Sequence, residues 1–168
     1  GCKAIMVPHG STVESAKKIV EAARYAPLGK RGLSPYTRCH NYTHDGLSDS
    51  LLRHANDTLV GILVEGLDGI NNLSQIAKVS GIDLIYLGMY DISQSVGFPG
   101  ELEHPKVIEQ LEICLDVIKS SGKIAGTFSR DLDACKYFQN MGFNFVAYVA
   151  DSYALTSFYK DAVTKFNQ

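Results

Sequence analysis

The chain has 168 residues, with 16 basic and 18 acidic side chains for a formal charge of −2, and 45% of its residues are hydrophobic. That length supports one domain with a real core and falls short of the roughly 250 residues of a complete (β/α)₈ barrel. The near-balanced charge gives no general basic field for nucleic acid, and no apolar run reaches the roughly 18 residues of a membrane span, so neither is expected as a partner. The chain opens Gly1-Cys2-Lys3 without an initiator Met, so residue 1 is expected to be a cut inside a longer protein. Such a start can carry no evidence of a signal peptide.

Residues 3–8 are expected to form the first strand. Ser11-Thr12-Val13-Glu14 reads as a capping box opening a helix, with Val13, Ala16, Ile19, Val20 and Ala23 on one face and Pro27 and Gly29 ending it. Residues 28–47 show no clear periodicity and carry Lys30, Arg31, Arg38, His40 and His44, a loop that is either functional or simply solvated. A short helix is expected at residues 48–55. The runs 59–64 and 82–87 are continuously apolar, the pattern of parallel strands covered on both faces. Between them, Leu67, Ile70, Leu73, Ile76 and Ala77 fall at helical spacing.

His104-Pro105 opens an amphipathic helix of Val107, Ile108, Leu111, Cys114, Leu115 and Ile118, which Gly122 stops. A fourth strand follows at 124–128, then a helix with Ser129 as its cap, with Leu132, Cys135 and Phe138 on one face and Gly142 at its end. A fifth strand at 144–149 leads through Asp151 into a last helix carrying Leu155, Phe158, Tyr159, Ala162 and Phe166. Strict strand–helix alternation defines an α/β domain, and the pattern alone suits a flavodoxin-like open sheet as well as a barrel segment. Residues 1–168 read as a single domain, without internal repeat, low-complexity tract or linker.

Glu65 ends one central strand, and Asp91 follows the other by a few residues. A right-handed strand–helix–strand unit brings both carboxylates to the same carboxyl-terminal edge of the sheet, where α/β folds place their sites. Lys78, the one basic residue between Gly61 and Ser93, lies toward the opposite edge. Two readings are open. Each carboxylate could cap a helix or turn, or the pair could share a hard divalent cation that relieves their repulsion. Cys2, Cys39, Cys114 and Cys135 lack paired spacing and suit reduced thiols in a cytoplasmic protein. Cys39-His40 with His44 lacks the second pair that a zinc site needs, so a plain loop is the preferred reading.

Val7-Pro8, the run Ala23-Arg24-Tyr25-Ala26-Pro27-Leu28-Gly29-Lys30-Arg31-Gly32, Val64-Glu65, and Gly88-Met89-Tyr90-Asp91-Ile92-Ser93 occur in order. His104-Pro105, Gly122-Lys123 and Gly142-Phe143-Asn144-Phe145-Val146-Ala147 continue the series. Over nearly the whole chain these motifs resemble the HpcH/HpaI family of metal-dependent 2-oxo acid aldolases. The resemblance implies a truncated TIM barrel of the phosphoenolpyruvate/pyruvate type, with about five βα units corresponding to its fourth through eighth strands. It also implies a class II carbon–carbon lyase acting on a pyruvate-type aldol, with Mg²⁺ or Mn²⁺ held by Glu65 and Asp91. Gly88, Tyr90 and Asp91 would bind the substrate carboxylate through backbone N–H groups of the turn. A homo-oligomer that exchanges its last helix is implied as well.

No residue of this chain is assigned as catalytic, because the family's His base and Arg belong to earlier strands, expected upstream of residue 1. His9 falls at a non-catalytic family position, as a substrate contact or a loop histidine. Leu63 stands where members usually carry a Gln donor, and Met89-Tyr90 stands where they carry Pro-Ala. Those departures keep an alternative open, a degenerate aldolase-like domain with a binding or assembly role.

Overall fold

The computed structural model describes residues 2–49 and 57–168. Five strands, β1 (Ala4–Val7), β2 (Leu59–Val64), β3 (Leu84–Leu87), β4 (Ile124–Ser129) and β5 (Phe145–Tyr148), pair in parallel in the order β1-β2-β3-β4-β5. The helices are α1 (Val13–Ala23), α2 (Gly66–Ile76), α3 (Met89–Ser95), α4 (Pro105–Ser120), α5 (Leu132–Met141) and α6 (Asp151–Phe166). Each strand adds beside the previous one, so the sheet is singly wound and curls as part of a barrel. A flavodoxin-like order, which needs a reversal of direction, is thereby excluded. The expected helix at 48–55 lies largely outside the described residues.

Right-handed crossovers wound in one direction put the covering helices on one face of the sheet. The side chains on that convex face, Val60, Ile62, Val64, Ile85, Leu87, Ala125 and Thr127, are completely buried. They pack on Leu73, Ile76, Val107, Leu111, Leu115 and Ile118 of the helices. The concave face holds Met6, Gly61, Leu63, Tyr86, Gly126, Phe128 and Phe145, joined by register. It is incompletely covered, with Met6 at 39% and Phe145 at 43% exposure. The expectation of strands covered on both faces holds for β2 and β3, where Leu84 on the concave side is also fully buried, and the exposure falls on the edge strands β1 and β5. On the concave side Gly126 is a close approach: a Cβ there would lie 2.9 Å from Tyr86, which meets Phe145 edge-on.

Several expected boundaries shift for identifiable reasons. Thr12, rather than Ser11, is the N-cap of α1, exchanging hydrogen bonds with Ser15, while Glu14 turns outward to Lys18. Ser129 is not the cap of α5: it is the buried last residue of β4, and Asp131 caps the helix by accepting from the Ala134 N–H at 2.7 Å. Asp131 is favoured because a carboxylate at an N-cap meets both the free amides and the positive helix end. Residues 77–80, expected to continue the central helix, form a turn after α2, and α3 replaces the expected short turn around Asp91. At the amino-terminal edge, buried Arg24 reaches Asp83 at 2.5 Å and the Thr58 and Gly81 carbonyls, and Asp83 also accepts from the Val60 N–H. Lys123 donates to the Val79 and Ile82 carbonyls beside it, and burial pushes its ammonium below the usual value despite the nearby Asp83.

Candidate active site

The carboxyl-terminal edge is organised by register. Val64 pairs with Leu87 across β2 and β3, and Tyr86 pairs with Gly126 across β3 and β4. Continued to the strand ends, that register sets Glu65, Gly88 and Phe128 in one row. Alternation turns all three toward the concave side, because Leu63 and Gly126 face it. Glu65 and Gly88 are in contact: a Cβ built on Gly88 would lie 3.2 Å from Glu65 Cβ and 3.4 Å from both Glu65 Oε2 and Leu63 Cδ1. Since Gly88 has no side chain, the row contains a notch with a carboxylate on one side and an aromatic ring on the other.

Glu65 occupies the N-cap position of α2, yet its side chain caps nothing. Instead Oε1 accepts the His9 N–H at 3.1 Å and lies 3.0 Å from His9 Nδ1, while the carboxylate is only 16% exposed. His9 adopts a left-handed backbone with φ of 56°, which brings its N–H and ring to the same oxygen. The capping reading of Glu65 is therefore set aside. Asp91 lies in the first turn of α3 and is exposed, and no hydrogen bond or ion pair holds its carboxylate among the described residues. The first ladder bond of α3 runs from the Ile92 N–H to the Gly88 carbonyl, so the Met89, Tyr90 and Asp91 amides have no partner within the helix.

Tyr90 is half exposed, with its ring 6.4 Å from that of Phe128 and tilted by 51°. It therefore leans on β4, one strand away from Glu65. Phe128 was not anticipated as a site residue, because its place in the row follows from inter-strand register. A groove of about 570 Å³ opens beyond Phe128 between α4 and α5, with apolar Met89, Ile108 and Phe138 on its floor side and the charged Glu103, Arg130, Asp131 and Asp133 also lining it. It borders the notch at Met89 and Phe128 and contains neither Glu65 nor Asp91. Among the described residues no three His, Cys, Asp or Glu side chains cluster as a metal site, Cys39, His40 and His44 included. The donors here are two carboxylates, with no Lys or Arg paired to either among the described residues.

A parallel α/β half-barrel with carboxylates at the carboxyl-terminal ends of its strands defines the class. The family described as HpcH/HpaI aldolase/citrate lyase matches residues 1–157, and the chain belongs to that family. A 2-keto-3-deoxy-L-rhamnonate aldolase of Salmonella typhimurium is 34% identical over 158 residues, 93% of this chain and 58% of that protein. The chain thus spans about three fifths of the length of the curated relatives it matches. Among solved structures, an HpcH/HpaI aldolase from Desulfitobacterium hafniense DCB-2 superposes with a TM-score of 0.90 at 23% identity, over 100% of this chain and 65% of that one. An HpcH/HpaI aldolase/citrate lyase family protein from Burkholderia cenocepacia J2315 gives 0.87 at 25% identity, over 100% of this chain and 66% of that one. No described helix is long and apolar enough to cross a membrane.

Proposed function

We propose that this chain carries the metal- and substrate-binding edge of a class II aldolase that cleaves or forms a 4-hydroxy-2-oxo acid of the pyruvate type. The observation that carries the reading is the notch at Gly88, bordered by the Glu65 carboxylate and followed directly by the amides of the α3 first turn. Glu65 and Asp91 fit a hard divalent cation. Both are oxygen donors, Glu65 is partly withdrawn from water with its second oxygen at the notch, and neither is paired with a Lys or Arg among the described residues. Mg²⁺ or Mn²⁺, when bound, supplies Lewis acidity toward the 2-oxo group.

The residues of this chain then have definite tasks. His9 fixes the orientation of Glu65. Gly88 leaves room for the planar 2-oxo acid, and the amides near Tyr90 and Asp91 hold its carboxylate. In cleavage the C3–C4 bond breaks and its electron pair stays on C3, which takes up a proton to give pyruvate. The C4 hydroxyl loses its proton and becomes the aldehyde. The base for these transfers is not assigned to this chain. The proposed setting is cytoplasmic, in keeping with four cysteines without a disulfide.

The assembly is proposed to be a homo-oligomer. No residue of α6 is buried, and Tyr153, Leu155, Phe158, Tyr159, Val163 and Phe166 are all more than half exposed, an apolar surface that calls for a partner. Leu63 favours the second reading, a binding or assembly domain without turnover, because it presents a methyl group to the notch where the family carries a donor. Incubation of the full-length protein with Mn²⁺ and a 4-hydroxy-2-oxo acid, with pyruvate followed by a coupled reductase, separates the two. Metal-dependent pyruvate release supports the aldolase, and its absence from folded protein leaves the binding domain.

A further inference from the structure

The two carboxylates of the site are held differently. Glu65 is oriented through its own side chain by His9, whereas the Asp91 carboxylate has no hydrogen bond or ion pair among the described residues. What places Asp91 is therefore the backbone of the α3 turn that carries it. That turn is tied by a fully buried hydroxyl: Ser93 Oγ donates to the Tyr90 carbonyl at 2.6 Å and accepts the Gly100 N–H at 2.9 Å. A serine within a helix ordinarily bonds back to a carbonyl of its own turn and needs no tertiary partner. The Gly100 amide sets Ser93 apart, because it belongs to the loop that joins α3 to α4. Phe98 completes the tie, with its N–H on the Ser93 carbonyl at 2.8 Å and its ring stacked on His104, the N-cap of α4, at 3.4 Å between centroids.

Resting on the reading of Glu65 and Asp91 as a cation pair, we infer that Ser93 is a positioning residue for Asp91. It braces the α3 turn against the 97–104 loop, so that the Asp91 carboxylate is presented to the same cation as Glu65. Ser93 itself touches neither cation nor substrate. With Ala in its place the Gly100 amide loses its buried acceptor, the Tyr90 carbonyl loses a donor, and the turn gains freedom. Coupling of this kind is reciprocal, so a cation on Asp91 must in turn restrain the loop.

The test uses the full-length protein and Mn²⁺. Ser93→Ala should bind Mn²⁺ about tenfold more weakly by calorimetry, the low end of what losing a group that orients a metal ligand does. Arg24→Met, which removes an ion pair at the opposite edge of the sheet, should bind it as the unaltered protein does and so separates positioning from general loss of stability. In the unaltered protein, saturating Mn²⁺ should slow hydrogen exchange of residues 97–102 several-fold, read by mass spectrometry, and leave the 30–36 loop beside Arg24 unchanged. This second measurement is decisive even where Ser93→Ala does not fold. Unweakened affinity in folded Ser93→Ala, an equal loss in Arg24→Met, or exchange of 97–102 that Mn²⁺ does not slow overturns the inference alone. An unaltered protein that binds no Mn²⁺ overturns the cation reading and the inference with it.

Discussion

His9 and Glu65 are joined at a single oxygen: Oε1 of Glu65 accepts the His9 backbone N–H at 3.1 Å and lies 3.0 Å from the ring Nδ1. The contact spans β1 and β2 and leaves the other carboxylate oxygen at the Gly88 notch. Partners of this kind orient a metal ligand, and their removal typically costs about 10–100-fold in affinity. His9→Gly removes the ring, keeps the N–H and suits the left-handed backbone. It should weaken Mn²⁺ binding by about tenfold, measured by calorimetry; unchanged affinity would make the ring a bystander.

Gly88→Ala is a steric test. The backbone there has a φ of −79°, open to any residue, so the substitution adds no backbone strain. The new methyl would sit 3.2 Å from Glu65 Cβ and occupy the notch. The 2-oxo acid KM should rise at least about tenfold, a loss of about 1.4 kcal/mol of binding, with little change in melting temperature. Asp91→Ala should instead eliminate turnover. If Gly88→Ala leaves KM unchanged, substrate does not use the notch.

Arg24 is buried and bonded to Asp83, which is 40% exposed at its side chain. Breaking a buried pair on one side costs about 3–5 kcal/mol, and the exposure of Asp83 argues for the lower end. Arg24→Met should therefore lower unfolding free energy by about 3 kcal/mol in urea. A loss below about 1 kcal/mol would place the pair among ordinary surface ion pairs.

The exposed face of α6 predicts self-association through that helix. Phe158→Glu together with Tyr159→Lys should lower the mass seen by light scattering at micromolar concentration without loss of helical circular dichroism. A parent chain that is already monomeric at that concentration would contradict the proposed homo-oligomer.

Much of this was legible in the sequence. The strand–helix alternation, the Glu65 and Asp91 edge and the His104-Pro105 helix start follow from local pattern, and the structure has them. The cap of α5 was misplaced because Ser129 and Asp131 are both good N-caps, and the choice depends on how far β4 pairs with β5. The Phe128 wall and the double contact of His9 with Glu65 were not legible, since both depend on inter-strand register. Periodicity within one strand cannot specify which residue of a neighbour stands opposite. The Tyr90 ring leans onto Phe128, a contact that backbone spacing alone could not predict.

The account rests on Glu65 and Asp91 sharing a divalent cation, and Mn²⁺ titration followed by electron paramagnetic resonance tests it most directly. Folded full chain should deplete the free-ion signal with one saturable site, and Glu65→Gln and Asp91→Ala should each restore the free signal while remaining folded. No depletion at millimolar Mn²⁺, or depletion unchanged in both variants, would contradict it.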